Sequence, residues 1–130
     1  MTDDRYHRQQ LVPQLGPDGQ RRLAAGSIVV VGCGALGTVA ADLLARAGIG
    51  RIRLVDRDIV ELTNLQRQVL FAESDVSMPK AAAAARRLRA VNSSIEIDAA
   101  VSDFDASNAE RLADGCNLII DGLDNFETRY

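Results

Sequence analysis

The sequence predicts an α/β domain, a doubly wound and mostly parallel sheet with helices placed before its first strand. Three observations predict it. From Ser27 onward, short apolar runs alternate with segments of helical periodicity. A glycine-rich turn, Gly32-Cys33-Gly34-Ala35-Leu36-Gly37, joins the first run to the first long helix. An acidic residue, Asp56, closes the second run.

Residues 27–32 read SIVVVG, a β-branched run stopped by glycine, as in a strand buried on both faces. Over 35–47, Leu36, Val39, Ala40, Leu43, Leu44 and Ala47 recur at helical spacing, and Gly48 and Gly50 end the helix. Residues 51–55 (RIRLV) form the second strand. Residues 78–91 have strong helix propensity, with Pro79 near the first helical position and the alanines from Ala81 as filler. A third strand is expected over 95–101, a helix over 105–113 and a fourth strand over 117–121, after which DNFETRY opens another helix. Segments 3–11 and 17–25 read as helices. The chain therefore divides into an N-terminal helical segment, 1–26, and a core, 27–130. Strands alternating with helices in this way imply right-handed parallel crossovers.

Composition bounds the function. The 130 residues, 47% apolar and 25% charged, describe one domain able to build a core without disulfides or a structural metal. A net charge of −3 gives no general reason to bind nucleic acid or an anionic membrane. No stretch approaches the ~20 apolar residues of a membrane span, and the opening MTDDRYHRQQL lacks the apolar core of a signal peptide, so a cytoplasmic protein is expected. Cys33 and Cys116 form no CxxC pattern, which indicates neither a disulfide framework nor a zinc site.

The candidate chemistry begins at the glycine turn. Gly32 permits a tight turn, Gly34 lets backbone approach a phosphate and Gly37 lets helix pack on strand, while the helix N-terminus offers free N–H groups to an anion. Asp56, nineteen residues past Gly37, stands where a carboxylate can bond ribose hydroxyls; Asp58 reads as a solvated neighbour. These features serve a nicotinamide dinucleotide equally well. The stretch 56–78 separates them, because connections in α/β units usually run ~2 to 6 residues and this one is long, aperiodic and rich in apolar side chains. It reads as a packed functional loop. It carries a cluster of donors, Thr63-Asn64-Leu65-Gln66-Arg67-Gln68, followed thirteen residues after Arg67 by Lys80. Lys80 is the single lysine beside fourteen arginines, placed at a helix N-terminus where the macrodipole disfavours a generic surface cation. Asp124 follows the fourth strand, where a carboxylate could hold a phosphate-bridging Mg²⁺; Asp124 or Asn125 could equally be a helix N-cap.

Arg5-Tyr6-x-Arg8-Gln9, Gly19-Gln20, the glycine turn, Asp56-x-Asp58, the Asn64 to Gln68 block, Pro79-Lys80 and Asp124-Asn125 resemble, in order and spacing, the ThiF/MoeB/HesA adenylyltransferases related to ubiquitin-activating enzymes. The resemblance runs from Arg5 to Tyr130. It implies a Rossmann-like nucleotide domain and ATP-dependent adenylation of the C-terminal Gly-Gly carboxylate of a ubiquitin-like sulfur-carrier protein. By that resemblance Asp56 binds ribose, Asn64, Arg67 and Lys80 hold the triphosphate and stabilise developing charge, and Gly34, Ala35, Gln66 and Asn125 join the ATP site. Asp124 would hold Mg²⁺, and Arg8 would reach the ATP site of a second subunit, implying a homodimer. The acceptor carboxylate is already a nucleophile, so no general base is required.

Two departures qualify the resemblance. Ala35 replaces the second of the family's paired glycines, though its N–H stays available. Members also continue for about as long again, with the carrier groove, often paired CxxC zinc motifs and in many cases a transfer cysteine, so the chain is expected to be the ATP-binding half, with zinc confined to the missing part. Neither Cys33 nor Cys116 matches that cysteine, and His7 reads as a surface residue. The alternatives are an adenylating relative acting on another carboxylate or a modified tRNA base, a non-catalytic nucleotide-binding or pairing module, and an NAD-dependent dehydrogenase.

Overall fold

The structure is a computed structural model and describes residues 4–123. After a 3-10 turn at Asp4–Tyr6 come α1 (His7–Gln10) and α2 (Gly16–Ala25), then β1 (Ser27–Val31), α3 (Ala35–Ala47), β2 (Arg51–Val55), α4 (Lys80–Val91), β3 (Glu96–Ala100), α5 (Ala109–Ala113) and β4 (Leu118–Asp121). The four strands form one all-parallel sheet in the order β3-β2-β1-β4, with Val29 opposite both Arg53 and Ile119. The expected α/β class and the helices before β1 are therefore present.

Strand alternation sorts the side chains into two layers. Ile28, Val30, Ile52 and Leu54 face α3 and α4 in the larger core, while Val29, Val31 and Val55 face Leu112 of α5 in a smaller one. β1 is buried at every position because it has a strand on each side and helices over each face.

α3 meets the sheet through its small residues. Gly37, Thr38, Ala41 and Ala45 are buried, and a Cβ on Gly37 would stand 1.8 Å from the Gly32 carbonyl oxygen, so the approach requires glycine. The large residues of its periodic pattern point away: Leu36 is 73% and Leu43 62% exposed. α5 is shorter than the predicted 105–113. Asp105 accepts the Ser107 N–H at 2.9 Å and donates its own N–H to the Asn108 side chain at 2.9 Å, and these local bonds hold a turn where a helix would have begun. α4 likewise starts at Lys80 because Ile59 and Pro79 form a bridge just before it.

The N-terminal segment closes the far end of α3. Gln9 and Gln20 both donate to the Ala47 carbonyl, one of the carbonyls that a helix C-terminus leaves without an internal partner. Asn92, fully buried, donates at 2.8 Å to the Ala45 carbonyl and at 2.8 Å to the Tyr6 hydroxyl. No helix among the described residues is long and apolar enough to cross a membrane.

Candidate nucleotide site

The glycine turn links the C-terminal end of β1 to α3. Gly32 has φ +94, a conformation that strongly favours glycine, and a Cβ there would lie 2.9 Å from the Gly122 carbonyl carbon. The segment after β4 thus docks directly on the turn. Gly34 occupies the N-cap of α3 with no side-chain cap, so the first N–H groups of the helix have no side-chain capping acceptor.

Asp56 fixes that turn. Its Oδ2 accepts the Cys33 N–H at 2.7 Å and its Oδ1 accepts the Asp58 N–H at 2.7 Å. A carboxylate thereby stands half-buried at the end of β2 beside Gly34.

The stretch after Asp56 is ordered by burial. Val60, Leu70 and Phe71 enter the core, and two 3-10 turns, Leu62–Asn64 and Glu73–Asp75, organise the rest. The Asn64 side chain accepts the Glu61 N–H at 2.8 Å, and Asp75 accepts the Ala72 N–H at 2.8 Å while pairing with Arg86 at 2.7 Å. Its ends zip together: Val60 donates to Met78, Ser77 to Val60 and Lys80 to Asp58, at 2.8, 2.8 and 2.9 Å. This pairing carries Lys80 to the end of β2, beside Asp56. Ser77 takes φ 78 at the return bend, an unusual value for a residue with a side chain.

These groups surround a cavity of about 480 Å³ at the carboxyl ends of the strands. Lys80 is only 8% exposed, and its ammonium has no hydrogen-bonding or ionic partner among the described residues. An anion in the cavity would supply the counter-ion that this ammonium lacks. Arg67 uses one guanidinium nitrogen on the Thr63 carbonyl at 3.2 Å and keeps its other donors. Cys33, fully buried behind the turn, has its thiol pushed well above the usual range by burial, with Asp56 adding to the shift and Lys80 opposing it. That thiol is not a nucleophile.

Of the residues predicted for the site, Gly34, Ala35, Asp56, Asn64, Arg67 and Lys80 line the cavity. Gln66 does not line it and is exposed, because the turn that buries Asn64 and Gln68 points Gln66 outward. Arg8 lies exposed on α1 and does not reach this chain's cavity. Asp124 and Asn125 lie outside the described residues; Leu123, just before them, lines the cavity. Sequence reasoning missed Ser102, Asp103 and Phe104, which follow β3 and could have been found from the rule that ligands bind beyond strand carboxyl ends. Asp103 pairs with Arg57 at 3.2 Å across the rim. It also assigned Gln68 no role, because nothing local marks that residue as buried. No group of three or more His, Cys, Asp or Glu side chains able to hold a metal occurs among the described residues.

Comparison with known proteins agrees with this geometry. Residues 6–130 match the model of the ThiF family. The chain is 50% identical over 127 residues to the sulfur carrier protein ThiS adenylyltransferase of Bacillus subtilis, covering 96% of this chain and 38% of that protein. It is 46% identical to a sulfur carrier protein adenylyltransferase of Thermus thermophilus, covering 98% of this chain and 47% of that one. Among solved structures, the E. coli tRNA N6-threonylcarbamoyladenosine dehydratase TcdA in complex with ATP superposes with a TM-score of 0.87 at 31% identity, covering 94% of this chain and 50% of that one. The chain thus spans half or less of the length of these relatives. With the match running almost end to end, the chain belongs to the ThiF family.

Proposed function

We propose that this chain is the ATP-binding half of an adenylyltransferase that activates the C-terminal glycine carboxylate of a ubiquitin-like sulfur-carrier protein. The observation that carries the reading is Lys80: a lysine only 8% exposed whose ammonium has no partner among the described residues, lining a cavity that also holds Gly34 at the N-cap of α3, Asp56 and Arg67. A dinucleotide needs no such extra cation, whereas a triphosphate does. The relatives named as sulfur carrier protein adenylyltransferases, and TcdA in complex with ATP, support the same reading.

In this reaction a carboxylate oxygen of the carrier attacks the α-phosphorus, the bond from that phosphorus to the bridging oxygen breaks, and pyrophosphate leaves. The chain's contribution is positioning and cationic stabilisation. Asp56 orients the ribose, Asn64, Arg67 and Lys80 hold the phosphates, and the N–H groups at Gly34 and Ala35 approach them through backbone. Mg²⁺ at such sites is commonly held by one or two carboxylates plus phosphate oxygens, and Asp124 is the carboxylate proposed for it. Arg8, on the outer surface of α1, is assigned to the cavity of a second copy, which makes the working form a homodimer.

Likeness to TcdA supports a second reading, adenylation of a different acceptor such as a modified tRNA base. The two readings share the ATP site and differ in the acceptor. Melting the chain with and without MgATP tests the shared part: the wild type gains thermal stability, and Lys80→Ala and Arg67→Ala lose the gain. Stabilisation by NAD and not by ATP would overturn it. ATP–pyrophosphate exchange stimulated by a Gly-Gly-ended carrier selects the first acceptor, and exchange stimulated by tRNA selects the second.

A further inference from the structure

We propose that the groove between α5 and the free edge of β3 is a docking site for an extended acidic segment of a protein partner. It shares no lining residue with the nucleotide cavity, and the proposal does not depend on what that cavity binds.

Among the described residues β3 ends the sheet on one side, with only β2 as a neighbour. The Glu96 N–H donates to the Gly50 carbonyl at 2.9 Å, and the Ala100 carbonyl accepts from Asp56 at 3.2 Å. The even-numbered residues of β3 therefore turn their backbone polar groups toward β2, and Ile97 and Ala99 turn theirs outward. Arg89, on α4, covers one of these outward groups by donating to the Ile97 carbonyl at 2.8 Å. Ala99 is exposed, and its methyl group is too small to shield its own N–H and carbonyl. A strand edge left bare in this way is a template for a further strand.

The groove beside this edge, about 560 Å³, is cationic: Arg53, Arg89 and Arg111 line it, with Asp98 as its one carboxylate. Asp98 does not neutralise it, because that carboxylate also pairs with Arg51 at 2.9 Å and stands 3.5 Å from Arg53. Backbone carbonyls hold two of the guanidiniums, Arg53 donating to Leu112 at 2.7 Å and Arg89 to Ile97, so their remaining N–H groups are offered with little further ordering. Arg111 is exposed and has no partner among the described residues. In a chain of net charge −3 this is a local reversal of sign. The charge selects an anion, and the edge selects its kind. Carboxylate side chains match the arginine forks, and a peptide backbone satisfies both the N–H and the carbonyl of Ala99. A phosphodiester backbone offers acceptors alone and would set negative charge against that carbonyl. Proteins that track nucleic acid commonly make about 6–10 phosphate contacts, more than three arginines supply.

The test is fluorescence anisotropy of a labelled peptide of alternating glutamate and valine titrated with the chain, beside a peptide of alternating glutamine and valine, a single-stranded RNA and inorganic phosphate. The acidic peptide should bind, raise the hydrogen-exchange protection of the Ala99 amide, and lose affinity at least roughly tenfold in Arg111→Glu and in Arg89→Gln. Arg111 makes no side-chain contact among the described residues, so Arg111→Glu should keep the wild-type melting temperature and the wild-type response to MgATP. Equal affinity for the acidic and neutral peptides, or undiminished binding by Arg111→Glu, would overturn the proposal. Binding without protection of Ala99 would also overturn it, by showing that no strand is added at the edge. RNA binding at these arginines without binding of the acidic peptide would overturn it in favour of a nucleic-acid surface, and binding of phosphate alone would reduce the groove to a simple anion site.

Discussion

The carboxylate of Asp56 accepts the backbone N–H of Cys33 at 2.7 Å, so the residue that marks the end of β2 also holds the glycine turn at the end of β1. Cys33 is fully buried, and its N–H finds its acceptor in the Asp56 carboxylate. The proposed ribose ligand is therefore also part of the scaffold of the phosphate end.

Asp56→Ala should lower the unfolding free energy by about 1–3 kcal/mol, the usual cost of leaving a buried donor unsatisfied. Asp56→Asn keeps one acceptor and should cost less. Urea unfolding followed by circular dichroism measures both, and a neutral Asp56→Ala would show that the bond to Cys33 holds nothing in place.

Lys80→Met should act in opposite directions on the free and the nucleotide-bound protein. Replacing this largely buried lysine, whose ammonium has no partner among the described residues, with an apolar chain of similar length should raise the apo melting temperature by roughly 3–5 °C, equivalent to about 1 kcal/mol for a domain of this size. The same variant should show no further rise with MgATP. Thermal melts at matched ionic strength check both halves, and a fall in apo stability would mean that the ammonium has a stabilising partner.

The sequence made legible what is decided by near neighbours. The limits of α3 and β2 follow from Gly34, Gly48 and Gly50, and Lys80 stood out because its type and place conflicted with the rest of the chain. What was not legible depends on distant contacts. Leu36 and Leu43 have core-like spacing, yet α3 buries Gly37 and Ala41 because the turn at Gly32 must lie against the helix. Gln66 and Gln68 are the same residue type two positions apart, and only the packing of the turn after Leu62 makes one exposed and the other buried.

Asn92 joins three separate parts of the chain, donating to Tyr6 and to Ala45 and accepting the Ser94 N–H at 3.0 Å. Asn92→Leu removes all three bonds at a fully buried position, leaving the Ala45 carbonyl with the Gly48 N–H at 3.2 Å, and should destabilise the chain by about 1–3 kcal/mol. Tyr6→Phe removes only the peripheral bond and should cost about 1 kcal/mol. Chemical unfolding of the two variants and the double variant tests this, since the combined loss should fall short of the sum if the bonds form one network.

Cys33 gives the chain a predictable alkaline limit. Its thiol is pushed far above the ordinary value near 9.0 by burial, so the folded state keeps the proton while the unfolded chain releases it. The associated stability is fully present below the unfolded value and is lost as pH rises beyond about 9, at up to ~1.4 kcal/mol per pH unit. Cys33→Ala should flatten this part of the stability profile. Urea unfolding between pH 8 and 10 measures the slopes. Thiol titration of the native wild type at pH 8 should find Cys116 reactive and Cys33 protected until denaturant is added, and rapid labelling of Cys33 in the native state would contradict its burial behind the glycine turn.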